Sequence, residues 1–450
     1  MKDFTLAEIA KACNGEYVGD ESLKNTKITS VERDSRQVKN GSLFLAIKGE
    51  RVDGHDFIEK CFAQGAVCAL CEKAPKNATK PCIVVPSTLD AVKKIGRAYR
   101  EKFDIPVIGI SGSVGKTSTK EMLYAVLSQK FKTHKTQGNL NNELGVPLTL
   151  LSMPEDTEAA VIEMGISDFG EMTRLSEMVQ PTICVLTIIG ECHLENLGDR
   201  DGVLKAKTEM FKNARENADF ILNGDDDKLS TVKTVNGKKP VFFGLDAKND
   251  FYAKNIKNSG DGKVLATLCF DNNNIDVEIP AIGTYMVTNA LAAAAAGKLL
   301  GLTDEEIANG VASYKTVGSR ANVINTGKIK IIDDCYNANP TSVRASLDTL
   351  SNLDGRKVAI LGDMKELGSE ELKLHFDTGV YAKSKDIGTV ITVGELAKEL
   401  AKGADGKAFD TIEDAKPEIL KTIKSGDVVL VKASHSMQFE NIVEFLKQNF

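Results

Sequence analysis

The 450-residue chain contains no apolar stretch approaching the ~20 residues needed to cross a bilayer, so membrane insertion is not expected. Its first residues, Met1 to Cys13, alternate charged and apolar side chains and lack a signal-peptide hydrophobic region, so a cytoplasmic address is expected. Basic runs are missing as well. No more than two Lys or Arg stand together, and 57 basic against 63 acidic residues leave a net charge of −6. A nucleic-acid surface needs clustered excess cation, so no nucleic-acid partner is expected. Nine cysteines are scattered along the chain, and the close pair Cys68 and Cys71 has no second ligand pair nearby. That excludes a zinc site of the usual kind and reads as buried strand residues in a reducing compartment. Internal repeats and low-complexity tracts are also absent.

What is present is a soluble-protein composition, 42% hydrophobic and 27% charged, in a chain too long for one core. The pattern separates an α/β chain into three domains. Residues 1–103 hold short strands (SLFLAIKG, PCIVVP) and end in an amphipathic helix from about Thr88 to Phe103, a small mixed α/β unit. After the turn at Asp104-Ile105-Pro106, residues 104–317 alternate strands and helices. VIGISG, AAVIEMG, TICVLTII and ADFILNG are continuous apolar runs, as strands buried on both faces of a parallel sheet must be. An alanine-rich helix from about Val287 to Leu300 closes this part. Residues 318–450, with KIKIIDDC, RKVAILGDM, GTVITVG and DVVLVKAS, read as a smaller Rossmann-like domain. Its last helix carries Phe439, Ile442, Val443 and Leu446 on one face.

The strongest chemical signal is VIGISGSVGKTSTKEM, a strand, a glycine-rich turn and a helix. Converging backbone N–H groups and a helix N-terminus make such a turn an anion site. Gly112, Ser113, Val114, Gly115, Lys116, Thr117 and Ser118 would grip nucleotide phosphates, Lys116 at the β- and γ-phosphates and the Thr117 hydroxyl on Mg²⁺. Ile110 stands where the usual motif has its first glycine, so the loop is a GxxGKT variant. Downstream, Glu163 ends a buried run at what should be the ligand end of its strand, well placed for the same metal. His193, in a loop, and Lys207, on a helix with Met210 and Phe211 packing inward, are unspecific signals by themselves. Lys205 reads as a solvated face residue.

Taken in order, these stretches resemble the Mur ligase family over essentially the whole chain. TSVERDSRQVKNGSLFLAIKGERVDGHDF (29–57) is similar to the family's uridine-nucleotide-binding domain. GISGSVGKTSTKEM, TQGNLNNELGVPLTLL, EMGISDFGEM, HLENLGDRDGVLKAKTEMF, IIDDCYNANPTS, LGDMKELG and KASHSMQFENIV follow in family order. The NNELGVP and NANP stretches resemble the branch that joins D-alanyl-D-alanine to UDP-N-acetylmuramoyl-tripeptide, with both as small-molecule partners and a monomer expected.

The resemblance implies two Mg²⁺ sites, one using Thr117 and Glu163, the other Glu163, His193 and a carbamylated Lys207. It implies nucleotide contacts at Asn289, Arg320 and Asp334, and contacts to the UDP-linked substrate at Ser30, Asp34, Ser35, Arg36, Asn139 and Asn142. The catalytic set is then Lys116, Glu163, His193 and Lys207. This chain departs from the family pattern at Ile188, where an amide is frequent, at Cys192, and at His435, where arginine is frequent. The implied chemistry is ATP-driven: γ-phosphoryl transfer to a carboxylate gives an acyl phosphate, and the dipeptide amine displaces phosphate. The competing readings are a Mur ligase adding the third stem residue, folylpolyglutamate synthase, or a phosphate-loop switch ATPase.

Overall fold

In the computed structural model, which describes residues 1–259 and 262–450, the short apolar runs become strands of four sheets. The central sheet has six strands in the order 241–243, 219–223, 183–186, 107–111, 159–163, 133–135, all parallel. Val107–Ser111 comes first in the chain but lies inside the sheet, later strands being added on either side of it. The direction of winding reverses there, and a crevice opens at its carboxyl end. All five of its residues are buried, because helices cover both faces. The alanine-rich helix runs Tyr285–Leu299, and its small side chains let it pack closely on Lys116–Leu127.

The N-terminal sheet runs 16–18, 82–84, 68–71, 42–45, 30–32, antiparallel only at its first pair. The expected amphipathic helix is Thr88–Arg100, capped by the Ser87 hydroxyl and burying Val92, Ile95 and Tyr99. One continuous core extends from Phe4 through these residues to Val235 on one face of the central sheet. The first two sheets therefore share one core. The C-terminal sheet, 322–325, 330–333, 427–432, 356–362, 389–393, 407–409, is parallel except at its first pair. It builds two cores of its own, to which the preceding chain contributes Ile282. Few apolar contacts cross to it, the condition for a hinged unit.

The α/β class and Rossmann-like C-terminal unit expected from the sequence are the ones observed. The middle segment differs in one respect: 252–258, 264–270 and 273–279 form an antiparallel meander, where alternating strands and helices were expected. Its second turn is Asp271-Asn272, both in the left-handed region (φ 46° and 62°), the two-residue hairpin geometry. Cys68–Cys71 is a buried strand as expected, and all nine cysteines are free and buried. Among the described residues no helix is long and apolar enough to cross a membrane.

Candidate active site

The phosphate loop follows Val107–Ser111 directly. Gly112 has φ 150°, and a Cβ there would lie 1.9 Å from Thr187 Oγ1. The loop is held from behind by the end of the neighbouring strand. Thr187 Oγ1 donates to Val114 O (2.6 Å), Ser113 N to Ile188 O (2.7 Å) and Ser113 Oγ to Gly190 O (3.1 Å). The contact at the Ile188 departure is thus a main-chain one. Helix Lys116–Leu127 starts at Gly115 with no side-chain cap, leaving its first N–H groups for an anion. Lys116 folds back to donate to Gly112 O (2.7 Å), and burial lowers its pKa while the Glu163 charge opposes that shift. A Gly112→Ala substitution is expected to cost about 1–3 kcal/mol of stability and to weaken ADP binding about tenfold or more, read by melting and calorimetry. Unchanged ADP affinity would mean that the loop does not hold the phosphates.

Glu163 lies opposite Ile110 in the parallel register, which sets its carboxylate under the loop. Thr117 Oγ1 donates to both its oxygens (2.9 and 3.1 Å) and Asn141 Nδ2 to Oε1 (2.8 Å). The buried Lys120 ammonium stands 3.5 Å from Oε2 and 3.3 Å from Glu121. Asn141 belongs to the TQGNLNNELGVPLTLL stretch that carries the family resemblance, though with no role assigned to it there, and Lys120 is not marked by the sequence at all. Asn141 carries no periodic signal, and Lys120 reads as one more solvated charge on a helix. Among the described residues no group of three His, Cys, Asp or Glu could hold a metal alone. The donor set does fit Mg²⁺, which prefers hard oxygens and keeps several waters: a hydroxyl and a carboxylate in mutual contact beside a phosphate cradle.

Loop, carboxylate and C-terminal unit enclose a cleft of about 780 Å³. Residues 113–118, Glu163, His193, Asn289, Arg320 and Asp334 all line it, so the structure brings most of the sequence-derived set together. Asn289 Oδ1 accepts from Thr119 Oγ1 (2.9 Å). On the far wall Arg320 stacks on Tyr336 (3.8 Å), which also stacks with His435 (5.6 Å). Asp334 Oδ2 accepts from Lys432 Nζ and from Ser346 Oγ, each at 2.6 Å. Polar contacts bridge the units: Thr341 Oγ1 donates to Glu191 Oε2 (2.7 Å), and His193 Nδ1 meets Glu366 Oε2 (2.6 Å).

Lys207 lies behind the cleft surface rather than on it. On helix Arg200–Thr208, Lys205 is exposed as expected, whereas Lys207 is 1% exposed and, among the described residues, pairs with no carboxylate. Burial pushes its pKa down to about 8; a small push from Lys116 acts the same way, and Cys192 opposes it. Such a lysine has far more neutral amine near pH 7 than an exposed one, though the charged form still predominates.

Of the residues expected to contact a UDP-linked substrate, Asn142 lines the cleft, its Oδ1 accepting from Gly145 N (2.8 Å). Asn139 is exposed beyond it. Ser30 lies on strand 30–32 of the N-terminal sheet and Asp34, Ser35 and Arg36 in the turn that follows it, all outside the cleft lining. There Ser30 Oγ meets Ser42 Oγ (2.9 Å), and the Arg36 side chain beside Asp34 holds that carboxyl down to about 2.

Comparison with known proteins adds a second line of observation. The chain matches family models described as Mur ligase family, catalytic domain (residues 27–102), Mur ligase middle domain (110–297) and Mur ligase, glutamate ligase domain (319–435). It is 36% identical to the UDP-N-acetylmuramoyl-tripeptide–D-alanyl-D-alanine ligase of Bacillus subtilis, over 98% of each chain. It superposes on a crystal structure of MurF from Acinetobacter baumannii with a TM-score of 0.92 at 32% identity, over 100% of this chain and 99% of that one. With the MurF ligase of Thermotoga maritima in complex with ADP the TM-score is 0.84 at 30% identity, over 93% and 97%.

Proposed function

The chain belongs to the Mur ligase family, and from that membership and the geometry of the cleft we propose that it joins D-alanyl-D-alanine to UDP-N-acetylmuramoyl-tripeptide at the expense of ATP. One observation carries the reading. Lys116, Thr117 and Glu163 line one side of a single cleft whose other wall is the C-terminal unit.

A carboxylate is a poor electrophile. A tripeptide carboxylate oxygen attacks the γ-phosphorus, ADP leaves, and the acyl phosphate so formed carries a good leaving group. The neutral dipeptide amine then attacks the carbonyl carbon, the C–O bond to phosphate breaks, and the amine loses a proton. In-line transfer demands charge neutralisation and alignment rather than covalent help. Lys116, released from Gly112 O, supplies the cation at the transferring group, and the uncapped N–H groups of the loop hold the β-phosphate. Thr117 and Glu163 would hold one Mg²⁺, and Glu163, His193 and carbamylated Lys207 a second; bound there, the ions neutralise phosphate charge. Lys207 is suited to carbamylation because its neutral amine is accessible near pH 8 and no acid competes for it. The Arg320–Tyr336 stack offers a face to the adenine, with Asn289 and Asp334 also at the nucleotide.

Residues 1–103 would hold the UDP-sugar through Ser30, Asp34, Ser35 and Arg36, with Asn139 and Asn142 nearer the tripeptide end. Residues 104–317 take ATP, and 318–450 close on it with the dipeptide, keeping water from the acyl phosphate. Nine buried free thiols suit a cytoplasmic place of work. Phosphate release with UDP-N-acetylmuramoyl-tripeptide, with and without D-alanyl-D-alanine, tests the reading. Release that depends on both substrates is expected; turnover indifferent to the dipeptide would overturn it.

A further inference from the structure

We propose that Glu366 is a positioning residue, brought by the C-terminal unit to fix the His193 ring so that one ring nitrogen is free to bind a divalent cation. The inference rests on the reading of His193 as a metal ligand and adds to it the group that orients it. His193 stands in the loop after strand Ile183–Leu186, while Glu366 follows Arg356–Gly362 in the other unit. They meet at 2.6 Å between Nδ1 and Oε2.

Both residues are held in the left-handed backbone region, His193 at φ 53° and Glu366 at φ 65°. Side chains with a Cβ disfavour that conformation, and where it persists the surroundings impose it, as happens at functional sites. Here the two units approach closely on either side of the pair. A Cβ on Gly190 would lie 2.4 Å from Thr341 Oγ1, and one on Gly368 3.3 Å from the Glu195 backbone. The bond from Thr341 to Glu191 sits beside the pair and closes the same seam.

A plain ion-pair latch accounts poorly for this arrangement. The Glu366 side chain is 57% exposed and that of His193 24%, and pairs so open to water contribute little to holding two units together. Orientation of an imidazole is a different task. A histidine that binds a metal through one nitrogen usually donates its other N–H to a carboxylate, which sets tautomer and ring angle. With Nδ1–H directed at Glu366, Nε2 is the nitrogen left for the cation. Because the carboxylate arrives with the C-terminal unit, the ring is set only when that unit closes, so cation binding and closure strengthen each other.

The test titrates Mn²⁺ into the full chain with saturating ADP, by calorimetry, for wild type, Glu366→Ala, Glu366→Gln, His193→Ala and the His193→Ala/Glu366→Ala double variant. Glu366→Ala is expected to weaken Mn²⁺ about 10- to 100-fold. Glu366→Gln, whose amide oxygen still accepts the N–H, should restore most of the affinity, and Glu366→Ala should add nothing once His193 is gone. Ring ¹⁵N spectra, readable in a chain with five histidines, should show the Nδ1–H tautomer of His193 in wild type and a mixture in Glu366→Ala. Unchanged Mn²⁺ affinity in Glu366→Ala, with affinity lost in His193→Ala, would overturn the role of Glu366 and leave His193 as a ligand. Unchanged affinity in His193→Ala would overturn both.

Discussion

Replacing Lys207 by methionine is expected to stop turnover and to raise the melting temperature. The two effects have one origin. The ammonium is buried and, among the described residues, without an acid partner, and its pKa falls from 10.5 to about 8. At about 1.4 kcal/mol per pH unit, that fall opposes folding by roughly 3 kcal/mol at neutral pH. Below pH 8 both folded and unfolded chains carry the proton, and the full penalty is present. Between about 8 and 10.5 the unfolded chain binds more protons, so stability rises with pH across that window. Methionine has similar length and no charge, which removes both the penalty and the pH dependence. The gain is read in CO₂-free buffer, since carbamylation relieves the same penalty in wild type. Turnover should nonetheless fall at least about 10²-fold, the scale for losing a transition-state electrostatic contact. A Lys207→Met enzyme with wild-type activity would remove Lys207 from the catalytic set.

The second large effect is expected at Glu163. Glutamine there keeps the shape and an oxygen for Thr117 and Asn141, and loses only the charge. Turnover should drop about 10²- to 10³-fold, with ADP affinity in EDTA little changed, because the loop itself is untouched. The alanine variant answers a different question. Both variants give up the charge contact with Lys120, but alanine also removes the acceptor of Thr117 and Asn141, and each buried donor left unsatisfied costs about 1–3 kcal/mol. A loss of folding in Glu163→Ala together with a folded, inactive Glu163→Gln separates the structural role of the carboxylate from the chemical one. Full activity in Glu163→Gln would contradict the metal assignment.

Much of this site is legible in the chain because it sits at strand ends. VIGIS and AAVIE are continuous apolar runs, so the residues that follow them, the loop and Glu163, must lie at the carboxyl edge of a buried sheet. The helix at 88–100 is legible from its one-sided apolar pattern, and that at 285–299 from its length and its run of alanines. The meander at 252–279 is hard to read because Lys and Asn fill the outward positions of its first strand and Asn, Asp and Glu those of its last, which weakens the apolar signal. Its one local mark is Asp271-Asn272, which suits a two-residue turn. Lys120 and Glu366 were illegible for a deeper reason. Each gains its meaning from a partner far away in sequence, Glu163 and His193, that no periodicity predicts.

In the proposed reaction ATP activates a carboxylate so that an amine can displace phosphate from it. That step is tested most directly with UDP-N-acetylmuramoyl-tripeptide carrying ¹⁸O in the acceptor carboxylate, with ATP, Mg²⁺ and D-alanyl-D-alanine, and mass analysis of the phosphate released. The account predicts one ¹⁸O in each phosphate, with a UDP-linked product heavier by the dipeptide less the labelled water equivalent it loses. Unlabelled phosphate, released without a dipeptide-extended product, would contradict it.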